Sequence, residues 1–251
     1  MSSLSVTFAI AIAIWASGVI GLVLARLLPE AHTSDRSRDI LGGVIGLIGL
    51  LLALVLGLLI WTSYGVTQTQ KSELQLLNAR ALEFDLELKQ FGPEADKARQ
   101  MLRTEMVWAH EQFWGGDQAR ADALRVTYEN MSAMSSTLTG LKPQTDAQRQ
   151  LLAAANANYG QIGQTRLLMT LQLTDPVSWP LLWMVVGWSC MLFCGYGVLS
   201  RANATTIVAL GLGAASVSSS FFLILELSQP YTSAFQLSPT LLEQTILDIG
   251  Q

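Results

Sequence analysis

Few residues in this chain have the type and spacing to do chemistry. His110 and Glu111 are adjacent in "WAHEQFWGG", but a zinc-hydrolase helix needs a second histidine at helical spacing, and the other histidine, His32, lies far away. Cys190 and Cys194 share a helix face inside an apolar run, which fits neither a disulfide framework nor a zinc ligand set; they read as small packing residues. Glu83, Asp85 and Glu87 alternate every second residue, so on a helix they point in different directions, a solvated face rather than a metal site. Glycine-rich phosphate loop, nucleophile elbow and Cys–His pair are all missing from the sequence. The chain is expected to be no enzyme and to need no cofactor or metal.

What positions the remaining unusual residues is a set of apolar helices. Of the 251 residues 51% are hydrophobic and 14% charged, with mean hydropathy +0.38, well below the charge content of soluble domains. The net charge of −4 argues against a nucleic-acid partner. Thirteen of the 19 acidic and 11 of the 15 basic residues fall within 62–176. Four segments reach the length of about 20 apolar residues that a bilayer requires: Leu4–Ala25, Ile40–Trp61, about 176–199 and about 203–227. The first is too long, and too poor in leading basic residues, for a signal peptide. Trp61, Trp179 and Trp183 sit near segment ends, where aromatic belts belong.

Between the second and third spans the periodicity is helical throughout. Leu74, Leu77, Ala81, Phe84, Leu88 and Phe91 form a heptad seam, broken by Gly92-Pro93. A second helix is expected over 94–114, a third over about 117–140 with Leu124, Met131, Met134 and Leu138, and a fourth after Pro143 with Thr145 as cap. The fourth carries Leu152, Ala155, Tyr159, Ile162, Arg166, Met169 and Leu173 on one stripe, and Asp175-Pro176 then starts the third span. The fold class is therefore an all-α membrane protein, four transmembrane helices with a helical bundle inserted between the second and third. The corresponding domains are 1–61 (spans one and two), 62–175 (the bundle), 176–228 (spans three and four) and 229–251 (a tail with a short amphipathic helix). The second span is expected to run on into the first bundle helix, bent at Gly65.

Two stripes of small residues stand out. Gly42, Gly46, Gly49, Ala53 and Gly57 line one face of the second span; Asn203, Thr206, Ala209, Gly213, Ser216 and Ser220 line one face of the fourth. Either close helix packing or a pore wall would produce them, and both readings stand. Arg166, on an apolar stripe, is either a snorkelling surface arginine or a buried one paired with an acid of a neighbouring helix. Glu226, after 23 steps of the fourth span, is expected at the far interface, with Lys71 as its reachable cation. Arg26, Arg36, Arg38 and Arg201 put the short loops on the cytoplasmic side and the bundle outside.

The run from Arg26 through Leu28-Pro29, Gly46, Trp61, Tyr64 and Glu73 resembles the opening of the bestrophin-like domain family. Trp108 in "TEMVWAHEQFW", Arg166, "WPLLW" with Pro180 and Trp183, and the closing "QPYTSAFQLSP" are similar to later parts of it. The chain departs from the family at Ser228-Gln229 before Pro230, where an Asp-Arg pair is usual. It departs again at Val107 before Trp108, where the acid is displaced to Glu105. The resemblance implies an ion channel, by analogy a pentamer, conducting small anions along the second span with a hydrophobic gate. Its partners are then the lipid bilayer and further copies of the chain, in a plasma or inner membrane. The alternative is a non-conducting sensor whose bundle binds a protein partner. A transporter has less support, since no discontinuous helix pair is evident.

Overall fold

The computed structural model of the chain describes residues 3–27, 35–115, 123–172 and 178–249. In chain order the helices are α1 (Ser3–Leu27), α2 (Asp35–Phe91), α3 (Asp96–Trp114), α4 (Ala123–Thr139), α5 (Asp146–Gln172), α6 (Trp179–Leu199), α7 (Ala204–Leu227) and α8 (Thr240–Asp248), with a 3-10 turn at Pro93–Ala95. No strand occurs among the described residues. Helices α1, α2, α6 and α7 are long and apolar enough to cross a membrane. The residues group into two compact units, one drawn from 1–65 and 177–228, the other from 66–176 and 229–251. Leu28-Pro29, His32, Gly116, the start at Asp117, Leu173 and the Asp175-Pro176 cap lie outside the described residues, as does the Leu124 side chain.

The first unit is held by an apolar core of Ile10, Ile14 and Leu22 from α1, Ile45, Leu52 and Leu56 from α2, Val185, Leu192 and Phe193 from α6, and Leu210, Phe221 and Ile224 from α7. Its tightest contact joins α1 to α6. A Cβ on Gly21 would overlap the Cys194 carbonyl oxygen, and one on Gly197 the Gly18 carbonyl oxygen, so the backbones touch with no room for a methyl group. In lipid, where apolar burial drives little between helices, such contact lets dispersion act over the whole crossing. Helix α2 packs less closely and through longer side chains: Ile45 fills the space over Gly195, and Leu192 approaches Gly49. The fourth span is capped as a helix should be, the Asn203 Oδ1 accepting from the Thr206 N–H at 2.7 Å.

In the second unit every member of the heptad seam from Leu74 to Phe91 is buried. Helix α2 runs unbroken through Gly65 and stops after Phe91, where Gly92 takes φ +125°, a left-handed conformation that only glycine adopts without strain. Pro93 then opens the 3-10 turn into α3. Helix α5 begins with a capping box. The Gln148 N–H donates to Thr145 Oγ1 at 3.1 Å while Gln148 Oε1 accepts from the Thr145 N–H at 3.3 Å. Thr145→Ala should lower the thermal stability of the purified chain by about 1 kcal/mol, read by circular dichroism. The C-terminal helix α8 lies against the bundle: Leu242 and Ile249 belong to its core, beside Phe113 and Tyr231.

Candidate functional site

The small-residue face of α2 is the first candidate. The buried edge of this helix is Ile45, Leu52, Leu56 and Ser63, and the small stripe lies beside that edge instead of on it. Gly46, Ala53 and Gly57 are exposed, and a Cβ on either Gly46 or Gly57 would meet nothing within 4 Å. Gly42 and Gly49 are half-buried against Leu199 and Leu192. Ile40, Leu47, Leu50, Leu54, Leu58 and Trp61 are exposed on the remaining surface. On α7, Ser216 is exposed, with its hydroxyl donating to the Leu212 carbonyl oxygen at 2.9 Å, and Ser220 is half-buried. Glu226 is buried in the last turn of α7, and Lys71 is exposed on α2.

The second candidate is a cluster of charges inside the bundle. Arg166 is 1% exposed and donates from Nη1 to Glu105 Oε2 at 3.3 Å; Glu105 is itself 4% exposed. The Tyr159 hydroxyl reaches the same carboxylate at 3.0 and 3.1 Å and the Asn130 carbonyl oxygen at 3.3 Å. The Arg166 guanidinium carbon lies 5.3 Å from the centre of the Trp108 ring, a cation–π contact. One turn along, Gln112 Nε2 donates to Thr170 Oγ1 at 3.1 Å. The cluster thus ties α3, α4 and α5 together. Burial raises the Glu105 pKa, outweighing the lowering effect of Arg166 and the Tyr159 hydroxyl, and burial lowers that of Arg166. Beside it, α3 and α4 form a groove of about 450 Å³ whose lining includes Lys97, Met101, Glu105, Trp108, Val126 and Asn130.

Three polar features were not foreseen from sequence. Asp85, expected on a solvated face, is buried and takes a bidentate bond from Arg99, Nε at 2.9 Å and Nη2 at 3.1 Å. The Gly92 turn folds α3 back beside α2, and that return is what brings a residue 14 positions away within reach. Its neighbours do diverge: Glu83 pairs with Arg80 and Glu87 accepts from Asn158. A hydrogen-bond relay runs from the Tyr231 hydroxyl to Gln70 at 2.9 Å, from Gln70 to Gln172 at 2.7 Å and from Gln172 to Glu73 at 3.1 Å. Tyr231 also stacks on Phe113 at 5.0 Å, while Trp114 donates to the Leu237 carbonyl oxygen at 2.9 Å, so the tail is fastened to the bundle. Among the described residues no three metal-ligating side chains gather.

The bestrophin-like domain model matches residues 12–242, nearly the whole chain. The chain belongs to the bestrophin-like family. Similar solved structures include a membrane protein at 14% identity, covering 98% of this chain and 99% of that one with a TM-score of 0.67. Two crystal structures of a bacterial bestrophin homologue from Klebsiella pneumoniae are also similar. One is 15% identical with TM-score 0.65, covering 95% of this chain and 98% of that one; the other is 14% identical with 0.66, covering 94% and 97%. No curated protein matches the chain. At these identities the likeness shows a shared fold. Within this bestrophin-like chain the quoted family residues Trp108, Arg166 and Tyr231 are drawn into the bundle interior, Arg166 and Tyr231 fully buried and Trp108 half-buried. The displaced acid, Glu105, is the one that pairs with Arg166.

Proposed function

We propose that this bestrophin-like protein is an oligomeric ion channel that passes small anions, with α2 lining the pore. Family membership across residues 12–242 carries the reading. The open face at Gly46, Ala53 and Gly57 supports it, because small side chains there leave room for an ion path bounded by several copies of the helix. Within one protomer the interior of the span unit is filled by Ile14, Val185, Phe193 and Phe221, so the path must run between copies. A pentamer follows the family analogy. The apolar spans contain no lysine or arginine, which leaves anion preference to backbone dipoles, hydroxyls and helix ends. The positive-inside bias of Arg26, Arg36, Arg38 and Arg201 supports an orientation with the short loops in the cytoplasm and the bundle outside.

Purified protein in liposomes should carry chloride flux, and Ala53→Leu should lower it by about tenfold while Leu54→Ala leaves it unchanged. Absence of any flux across pH and divalent conditions would sink the channel, and flux of cations alone would sink the anion preference. A C-terminal reporter active in the cytoplasm would overturn the orientation. The groove between α3 and α4 favours a second reading, a sensor whose bundle holds a partner. A stoichiometric protein co-purifying with a non-conducting chain would establish it.

A further inference from the structure

We propose that Glu105 is a proton-binding site of the bundle: taking a proton from the groove between α3 and α4, it ceases to be the counter-ion of Arg166 and releases that side chain. The geometry has three parts. Glu105 is one of the residues that line the groove of about 450 Å³, which opens to solvent. Its bound partners are fixed by burial, Arg166 and Tyr159 on α5 being 1% and 5% exposed. Arg166 is poorly supplied even with Glu105 charged, since among the described residues its Nε and Nη2 find no acceptor, while Nη1 meets the carboxylate. Neutral Glu105 leaves the guanidinium with the Trp108 ring and, among the described residues, no ion-pair partner.

The charged and titratable groups around Glu105 are few among the described residues. From α5 they are Arg166 and Tyr159, the two that shift it. Helix α4 offers the Asn130 carbonyl oxygen, received through Tyr159, and α2 offers Phe84, whose ring centre is 5.4 Å from that of Tyr159. Lys97 of α3 itself also lines the groove. Burial is the largest influence and raises the pKa, so the folded chain keeps this proton at pH values where the unfolded chain has lost it. The contribution to stability is fully present below the ordinary glutamate range and is lost as pH rises through the raised value. Acidification therefore does not unfold the bundle through this group. It exchanges a charged pair for a neutral carboxyl and an unheld arginine, a local change of arrangement.

The test uses the full chain in detergent, titrated from pH 8 to pH 4, with hydrogen exchange of the α3 and α5 amides and tryptophan fluorescence as readouts. Exchange around Arg166 and the Trp108 signal should change together with a midpoint above about 4.3, the ordinary glutamate value, and Glu105→Gln should abolish that transition. The His110–Trp114 stack, 5.2 Å between ring centres, is common to the wild type and Glu105→Gln, so the difference between the two titrations isolates Glu105. Should Glu105→Gln fail to fold, the charge-free pair Glu105→Leu with Arg166→Met serves in its place and should likewise lack the transition. Identical titrations of the wild type and either variant, or a wild-type midpoint at or below about 4.3, would overturn the assignment.

Discussion

Arg166→Met should destabilise the bundle by about 3 kcal/mol or more at neutral pH, because it strands the Glu105 carboxylate in a site 4% exposed. The Tyr159 hydroxyl would remain as its one side-chain donor among the described residues, and Trp108 would lose its cation. The size of the deficit depends on pH. Without Arg166 the Glu105 pKa, already raised by burial, climbs further, so the variant relieves its buried charge by taking a proton. Its deficit should shrink as pH falls toward the ordinary carboxylate range and be largest well above it. Denaturant unfolding of the purified chain, followed by hydrogen exchange at α5, measures both. Arg149→Met is the comparison: Arg149 and its partner Asp146 are exposed, and the change should stay within about 0.5 kcal/mol. Equal losses for the two variants, or a deficit indifferent to pH, would contradict the buried-pair account.

Gly197→Ala should cost more than a methyl group normally does, about 3 kcal/mol, because the added carbon meets backbone. Its neighbours would be the Gly18 carbonyl oxygen, the Leu22 amide nitrogen and the Gly21 Cα, none of which moves by changing a rotamer. The α1–α6 crossing would have to open along its length and surrender the dispersion contacts that close approach provides. Gly187→Ala on the same helix is the control, since a Cβ there meets nothing within 4 Å, and it should be neutral or slightly stabilising. Thermal unfolding in detergent, with the two variants side by side, separates a close-packing glycine from an open one. A loss at Gly187 matching that at Gly197 would mean that contact with the facing backbone does not set the effect.

Legibility in the sequence followed the range of each interaction. The heptad seam from Leu74 to Phe91, the stop at Gly92 and the Thr145 cap could all be read from spacing, because each rests on neighbours within one or two turns. Asp85 was misplaced on a solvated face because its partner lies across the Gly92 turn, where local spacing gives no direction. Arg166 was marked as out of place on an apolar stripe, yet 13 acids lie within 62–176 and spacing could not choose Glu105 among them. The glycines show the same limit. Gly46 and Gly57 stand out for their regular recurrence, whereas Gly21 and Gly197, where a Cβ would overlap the backbone of another helix, belong to no long stripe.

By itself the sequence determined four apolar helices, a helical insertion between the second and third, and a set of residues similar to those of the bestrophin-like family. Helical period, span length and capping chemistry are properties of a single segment and its immediate neighbours, so composition and spacing suffice for them. Only the tertiary structure decided which glycines carry a helix crossing, which face of α2 is left open, and which acid neutralises Arg166. Those outcomes depend on the distance and rotation between helices far apart in the chain, quantities that no one helix's pattern contains.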